Sequence, residues 1–144
     1  ERVFAVLTDF AHYPEWVPFV ARSDAHPRPD GSVVSAQSLR LPTLVGNRSY
    51  KIRAVLTIAE IIPGKGKVWS TRWTYLPGSG NVVDTHGSWI VTGFEAGRSL
   101  ATCRLFTDPG SVPHWAMNRA TEESLPWIFN GLRQQVRRNR YLKF

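Results

Sequence analysis

Tyr50-Lys51-Ile52-Arg53-Ala54-Val55-Leu56-Thr57-Ile58 is the stretch that decides how this chain folds. Tyr50, Ile52, Ala54, Leu56 and Ile58 alternate with Lys51, Arg53, Val55 and Thr57. A period of two, with cations on one side, predicts a strand with one face buried and the other in water. Toward the C-terminus, Pro63-Gly64-Lys65-Gly66 predicts a turn into a second strand, Val68 to Leu76, on which Trp69, Thr71, Trp73 and Tyr75 share a face. Pro77-Gly78-Ser79-Gly80-Asn81 reads as a flexible connection. Thr85 to Thr92 and Ser99 to Thr107 then form a hairpin around Glu95-Ala96-Gly97. Toward the N-terminus, Phe19 to Ala25 and Val33 to Leu41 pair across Pro29-Asp30-Gly31, where Pro presets φ and Gly accepts a positive one. Short connections between at least six strands imply an antiparallel meander.

Helices flank this block. Val3, Phe4 and Leu7 give Glu1 to Phe10 an amphipathic helical period, and Pro14 and Pro18 bracket a broken second helix around Tyr13 to Val17. Asp108-Pro109-Gly110 ends the sheet. Leu125, Ile128, Phe129, Leu132 and Val136 then form the stripe of a long C-terminal helix, with a start or a kink expected at Pro126. The fold class is α+β, in one domain spanning residues 1–144.

Composition narrows the function. At 144 residues and 42% hydrophobic, the chain suits one ordinary domain and not a disordered tail. Six Trp, seven Phe and four Tyr provide more aromatic surface than folding alone requires. The net charge is +7, of which Arg133, Arg137, Arg138, Arg140 and Lys143 supply +5. A nearly neutral domain with a basic end is not a nucleic-acid coat, and no nucleic-acid partner is expected. The single cysteine, Cys103, excludes an internal disulfide and fits a reducing, cytoplasmic location. No run reaches the roughly 18 apolar residues of a membrane-spanning helix.

Searches for reaction machinery return little. There is no GxSxG, GxGxxG or phosphate loop, and His12, His26, His86 and His114 stand apart without ligand spacing, so no cofactor or metal is implied. Asp84 and His86, two apart on a strand, share a face and form either a strand-edge salt bridge or a proton-transfer pair. The aromatics carry more weight. A curved antiparallel sheet covered by a single long helix is not filled by it, and the remaining space is a ligand cavity of a few hundred Å³. Parity makes Trp69, Trp73, Trp89, Cys103, Leu105 and Trp115 the wall candidates, with Ile128 and Leu132 from the helix. Arg72 is either solvated outside or turned inward to anchor an acidic or carbonyl group.

The order of these elements resembles the START-like, or helix-grip, superfamily, which includes polyketide aromatase/cyclases and START lipid-transfer domains. Val3-Phe4-Ala5-Val6-Leu7-Thr8-Asp9-Phe10 with Tyr13-Pro14-Glu15-Trp16-Val17-Pro18 is similar to that family's opening helices. Gly87-Ser88-Trp89, Leu100 to Leu105, Asp108-Pro109-Gly110 and Val112-Pro113-His114-Trp115 resemble its late strands and the approach to its gripping helix. The resemblance implies a strand ahead of the first helix, upstream of residue 1. It also implies a hydrophobic ligand (lipid, sterol, quinone or polyketide-like) held between sheet and helix, with Pro77 to Asn81 and Asp108 to Pro113 as gates. It carries no catalytic residue onto this chain. The leading expectation is a carrier or sensor. The alternative is an aromatase/cyclase that uses Asp84, His86 or an inward Arg72. A third role is transient contact of the basic C-terminal end with anionic membrane surfaces.

Overall fold

The alternating stretch lies at the centre of a six-stranded antiparallel sheet whose order is the order of the sequence. A computed structural model describes residues 1–41, 46–60, 66–94 and 97–144, leaving aside the side chains of Glu60, His114 and Met117. The strands are β1 (Val20–Pro27), β2 (Val33–Leu39), β3 (Arg48–Glu60), β4 (Lys67–Tyr75), β5 (Asp84–Gly93) and β6 (Ser99–Asp108). Helix α1 (Arg2–Thr8) and a 3₁₀ segment (Phe10–Glu15) precede the sheet, and α2 (His114–Gln135) follows it. The expected turn residues Pro63, Gly64, Lys65, Glu95 and Ala96 lie outside the described residues.

Alternation governs which face is buried. Ile52 and Ala54 are buried while Lys51, Arg53 and Val55 are exposed. The pattern weakens along β3, and Ile58, expected on the buried face, is 61% exposed. The Pro29-Asp30-Gly31 turn is made as expected: Gly31 has φ 79°, and Asp30 Oδ1 accepts bonds from the Ser32 amide and hydroxyl at 2.9 and 2.6 Å. At Gly87 even a methyl group would collide with the Trp73 indole and the Arg104 carbonyl, so only glycine lets that ring lie flat on β5.

Helix α1 buries Phe4, Val6 and Leu7 against α2 and the inner faces of β4 and β5. Phe10, Tyr13 and Trp16 form an aromatic chain with centroids 5.1 and 5.3 Å apart, and the Tyr13 hydroxyl donates to the Leu7 carbonyl at 2.6 Å. Helix α2 runs from His114 through Pro126 without starting there. Its early half shows why sequence periodicity missed the start: Trp115 is exposed and no apolar stripe marks that half, while Leu125, expected to begin the stripe, is itself exposed. From Ile128 on it packs against the sheet, with Leu132 buried. A Cβ at Gly131 would stand 2.7 Å from the Trp16 carbonyl oxygen, which fixes glycine at that crossing.

Candidate functional site

The inner face of the sheet is filled at one end and hollow at the other. Strand register defines the rows. Ile58, Trp69, Val91 and Ala101 align in one row, and Leu56, Thr71, Trp89 and Cys103 in the next. Ala54, Trp73, Gly87 and Leu105 come after that, and beyond them Gln37 lies opposite Tyr50 and Thr85 opposite Thr107. A cavity of about 200 Å³ occupies the space from the Trp89–Cys103 row to the Gln37–Tyr50 row. Ser124 and Ile128 of α2 bound it on the helix side, and Phe10, Tyr13 and Trp16 bound it on the 3₁₀ side.

Of the residues read from sequence as its wall, Trp73, Trp89, Cys103, Leu105 and Ile128 line this cavity. The other four stand elsewhere. Trp69 has the inward parity but sits in the row at the filled end, packed against the core. Leu132 is one helical turn past Ile128 and is wholly committed to the core. Trp115 is 62% exposed on the early half of α2. Arg72 is exposed on the outer face, in one row with Ser88 and Arg104. Asp84 and His86 also face outward, with Oδ2 and Nδ1 2.8 Å apart and the imidazole stacked on Phe106. The strand-edge salt bridge is therefore the arrangement found, and none of these three polar side chains reaches the cavity.

Sequence reasoning missed the polar side of the cavity. The Tyr50 hydroxyl donates to Gln37 Oε1 at 3.0 Å, the Gln37 amide reaches Ser35 Oγ at 3.4 Å, and Ser35 Oγ lies 3.2 Å from Ser23 Oγ. Thr85 and Thr107 hydroxyls meet at 3.1 Å on the far side. The signal was present: Ser35 and Gln37 share parity with Val33 and Leu39, which marks them as inward. Burial pushes the Tyr50 phenol up to about 12 and the Cys103 thiol up to about 11, so both stay protonated at neutral pH. Trp16 Nε1 and Thr71 Oγ1 are buried with no hydrogen-bond partner among the described residues, each at a cost of about 1–3 kcal/mol.

Both segments expected as gates are tied to the sheet by hydrogen bonds. Asn81 Oδ1 accepts from the Ser49 amide at 2.8 Å and Ser79 Oγ from the Lys51 amide at 2.9 Å, which straps Pro77 to Asn81 onto β3. Asp108 Oδ1 holds the Gly110 amide at 2.8 Å, and Arg48 Nε donates to the Pro109 carbonyl at 3.1 Å. Phe19 lines the cavity beside Pro18, Leu39 and Leu41 and is 37% exposed. Its φ of 65° is left-handed, at a cost of about 1–2 kcal/mol, and the Phe19 carbonyl accepts the Arg40 amide at 2.8 Å.

The basic end is partly neutralised. Glu15 receives Arg138 at 2.5 Å and both terminal nitrogens of Arg140 at 3.0 and 2.7 Å, and the Arg140 bonds hold its carboxyl below the usual carboxylate range. Tyr141 is buried, its hydroxyl on Asp9 at 2.9 Å. Among the described residues no group of His, Cys, Asp and Glu could hold a metal ion, and no helix is long and apolar enough to cross a membrane.

Known proteins share this architecture. The STAR-related lipid transfer protein of Xanthomonas axonopodis superposes with a TM-score of 0.77 at 23% identity, over 95% of this chain and 78% of that one. A START superfamily protein from Mycobacterium smegmatis gives 0.65 at 13% identity, over 93% and 86%. The Zhui aromatase/cyclase of Streptomyces sp. R1128 gives 0.67 at 15%, over 94% and 84%. At these identities the likeness is one of fold, the START or helix-grip fold. No curated protein matches the chain significantly in sequence. Residues 1–117, however, match the family described as polyketide cyclase / dehydrase and lipid transport, and the chain belongs to that family.

Proposed function

We propose that this protein binds a hydrophobic small molecule between the sheet and α2, as a carrier or sensor. The observation that carries the reading is the cavity of about 200 Å³ walled by Trp73, Trp89, Ile52 and Ile128. An aromatic ligand burying about 250 Å² of apolar surface there gains about 6 kcal/mol at most, an affinity of tens of micromolar. The lipid-transfer half of the family description supports this reading, and so does the wall chemistry, which shields a ligand and holds it by contact area. An aromatase/cyclase would draw on acid–base groups inside the cavity, where Tyr13, Tyr50 and Cys103 are the titratable wall residues and burial holds all three protonated. Asp84, His86 and Arg72, the residues considered for that work, lie on the outer face.

The test is native mass spectrometry of the protein as purified, with organic extraction of anything bound, followed by titration with naphthalene read by tryptophan fluorescence. A stoichiometric adduct, or saturable quenching that weakens in Trp73→Ala, is the expected result. A protein that is empty and shows no saturable response to naphthalene overturns the proposal.

A further inference from the structure

Resting on that reading of the cavity, we infer that the site selects uncharged, oxygen-bearing molecules of one or two rings, and that Gln37 and Tyr50 hold the oxygen. Size is the first argument. Ligand pockets commonly run from about 300 to 1,000 Å³. About 200 Å³ suits a compact ring system and excludes a two-chain lipid from this conformation.

Charge is the second argument. No described lining residue is Asp, Glu, Lys, Arg or His. The outer-face arginines Arg72 and Arg104 are on the wrong side of the sheet to neutralise a ligand. A carboxylate or ammonium moved into this space would lose its hydration and find no counter-ion.

Hydrogen-bonding capacity is the third. The Tyr50 hydroxyl spends its proton on Gln37 Oε1, which leaves the phenol oxygen's lone pairs, while the Gln37 amide has a second N–H beyond the one aimed at Ser35. A ligand hydroxyl donates to the first and accepts from the second, and a ketone or quinone oxygen accepts from the amide alone. Both side chains come from one register pair of β2 and β3 and both line the cavity. Gln37 is 6% exposed, so water competes poorly there. Burial keeps the Tyr50 phenol and the Cys103 thiol protonated, so the wall stays neutral near pH 7.

The experiment compares naphthalene, 2-naphthol and 2-naphthoate at pH 7, one skeleton bearing no oxygen, a neutral one and a charged group. Affinities come from tryptophan fluorescence and calorimetry on the whole chain. The expected order is 2-naphthol tighter than naphthalene by about 3- to 10-fold and tighter than 2-naphthoate by at least about tenfold. In the double variant Gln37→Leu with Tyr50→Phe, 2-naphthol should fall to the affinity of naphthalene. The comparison is made within each protein, so a double variant that loses affinity for both probes and keeps their ratio also overturns the inference. The milder Tyr50→Phe should lose part of the advantage. Naphthoate binding as tightly as naphthol, or a double variant that keeps the naphthol preference, overturns the inference while leaving the ligand site standing. Failure of all three probes to bind overturns the ligand site and the selectivity together.

Discussion

The two halves of the sheet's inner face obey the same alternation and differ in their balance of apolar and polar groups. Strands β4 to β6 turn Trp73, Trp89, Val91 and Cys103 inward, whereas β1 to β3 turn in Ser23, Ser35, Gln37 and Tyr50 beside Ile52 and Ala54. Both halves are buried, but for different reasons. The aromatic half is held by apolar area, at about 25 cal/mol per Å². The polar half satisfies itself through the bonds from Tyr50 to Gln37, Gln37 to Ser35 and Ser35 to Ser23, whose net worth is about 1 kcal/mol each or less. Facing inward is therefore not the same as being apolar, and the polar half costs the fold an opportunity for apolar burial. The cavity is where that cost has a use.

The comparison breaks most visibly at Trp89, which is 6% exposed and meets Phe129 edge-on at 6.0 Å. Trp89→Ala should lower unfolding free energy by about 3–5 kcal/mol in denaturant titration. A loss under about 1 kcal/mol would mean the aromatic half does not hold the sheet to α2. On the polar side, Gln37→Leu should cost about 1–3 kcal/mol, because it strips the Tyr50 hydroxyl of its acceptor. Adding Tyr50→Phe should restore most of that loss. A double variant no more stable than the single would show the hydroxyl was never in deficit.

Alkaline pH probes the same half without mutation. The Tyr50 phenol ionises near 10 when unfolded and near 12 when folded. Between these values the unfolded chain has released a proton that the folded chain keeps, so this group's contribution is complete below pH 10 and is lost as pH rises toward 12, alongside losses from Cys103, Tyr13 and Tyr141, which burial also raises. Tyr50→Phe should flatten that slope, and an unchanged slope would assign it to other groups. The smallest effect concerns Cys103, on the aromatic wall. With its thiol near 11, alkylation by iodoacetamide at pH 8 should be slower than for an exposed cysteine, and slower again with naphthalene bound. Labelling indifferent to naphthalene would separate Cys103 from the occupied space.

Much of this fold was legible in the chain. Alternation at Tyr50 to Ile58, and the Pro-Gly turns around it, specified strands and neighbours because a period of two admits one pleat. Three things were not legible. Trp69 and Trp73 have equal parity, and only the position of α1 decides which row is filled. The start of α2 left no trace in the periodicity, because its first half is largely exposed, although Val112-Pro113-His114-Trp115 resembles the approach to a gripping helix. Gln37 and Tyr50 each have inward parity, but they come from separate strands and meet only through register. Of the five expected wall residues that line the cavity, the four on strands, Trp73, Trp89, Cys103 and Leu105, lie in the rows next to the filled end, and Ile128 faces them from α2.

The glycine at 131 has a kinematic consequence. Advancing α2 by one residue along its own screw, about 1.5 Å and about 100°, would bring a Cβ from Asn130 or Leu132 against the Trp16 carbonyl. Screw travel is thus opposed, and the crossing at Trp16 can serve as a fulcrum. His114 lies about 25 Å from it along the helix and Ser124 about 10 Å. A swing of about 10° would carry the far end about 4 Å and lift Ser124 about 2 Å off the cavity, while Leu132 scarcely moved. The exposed early half of α2 is then the long arm of a lever. Hydrogen exchange should show it directly, with amides from Ala116 to Ala120 exchanging well before those from Ile128 to Gln135.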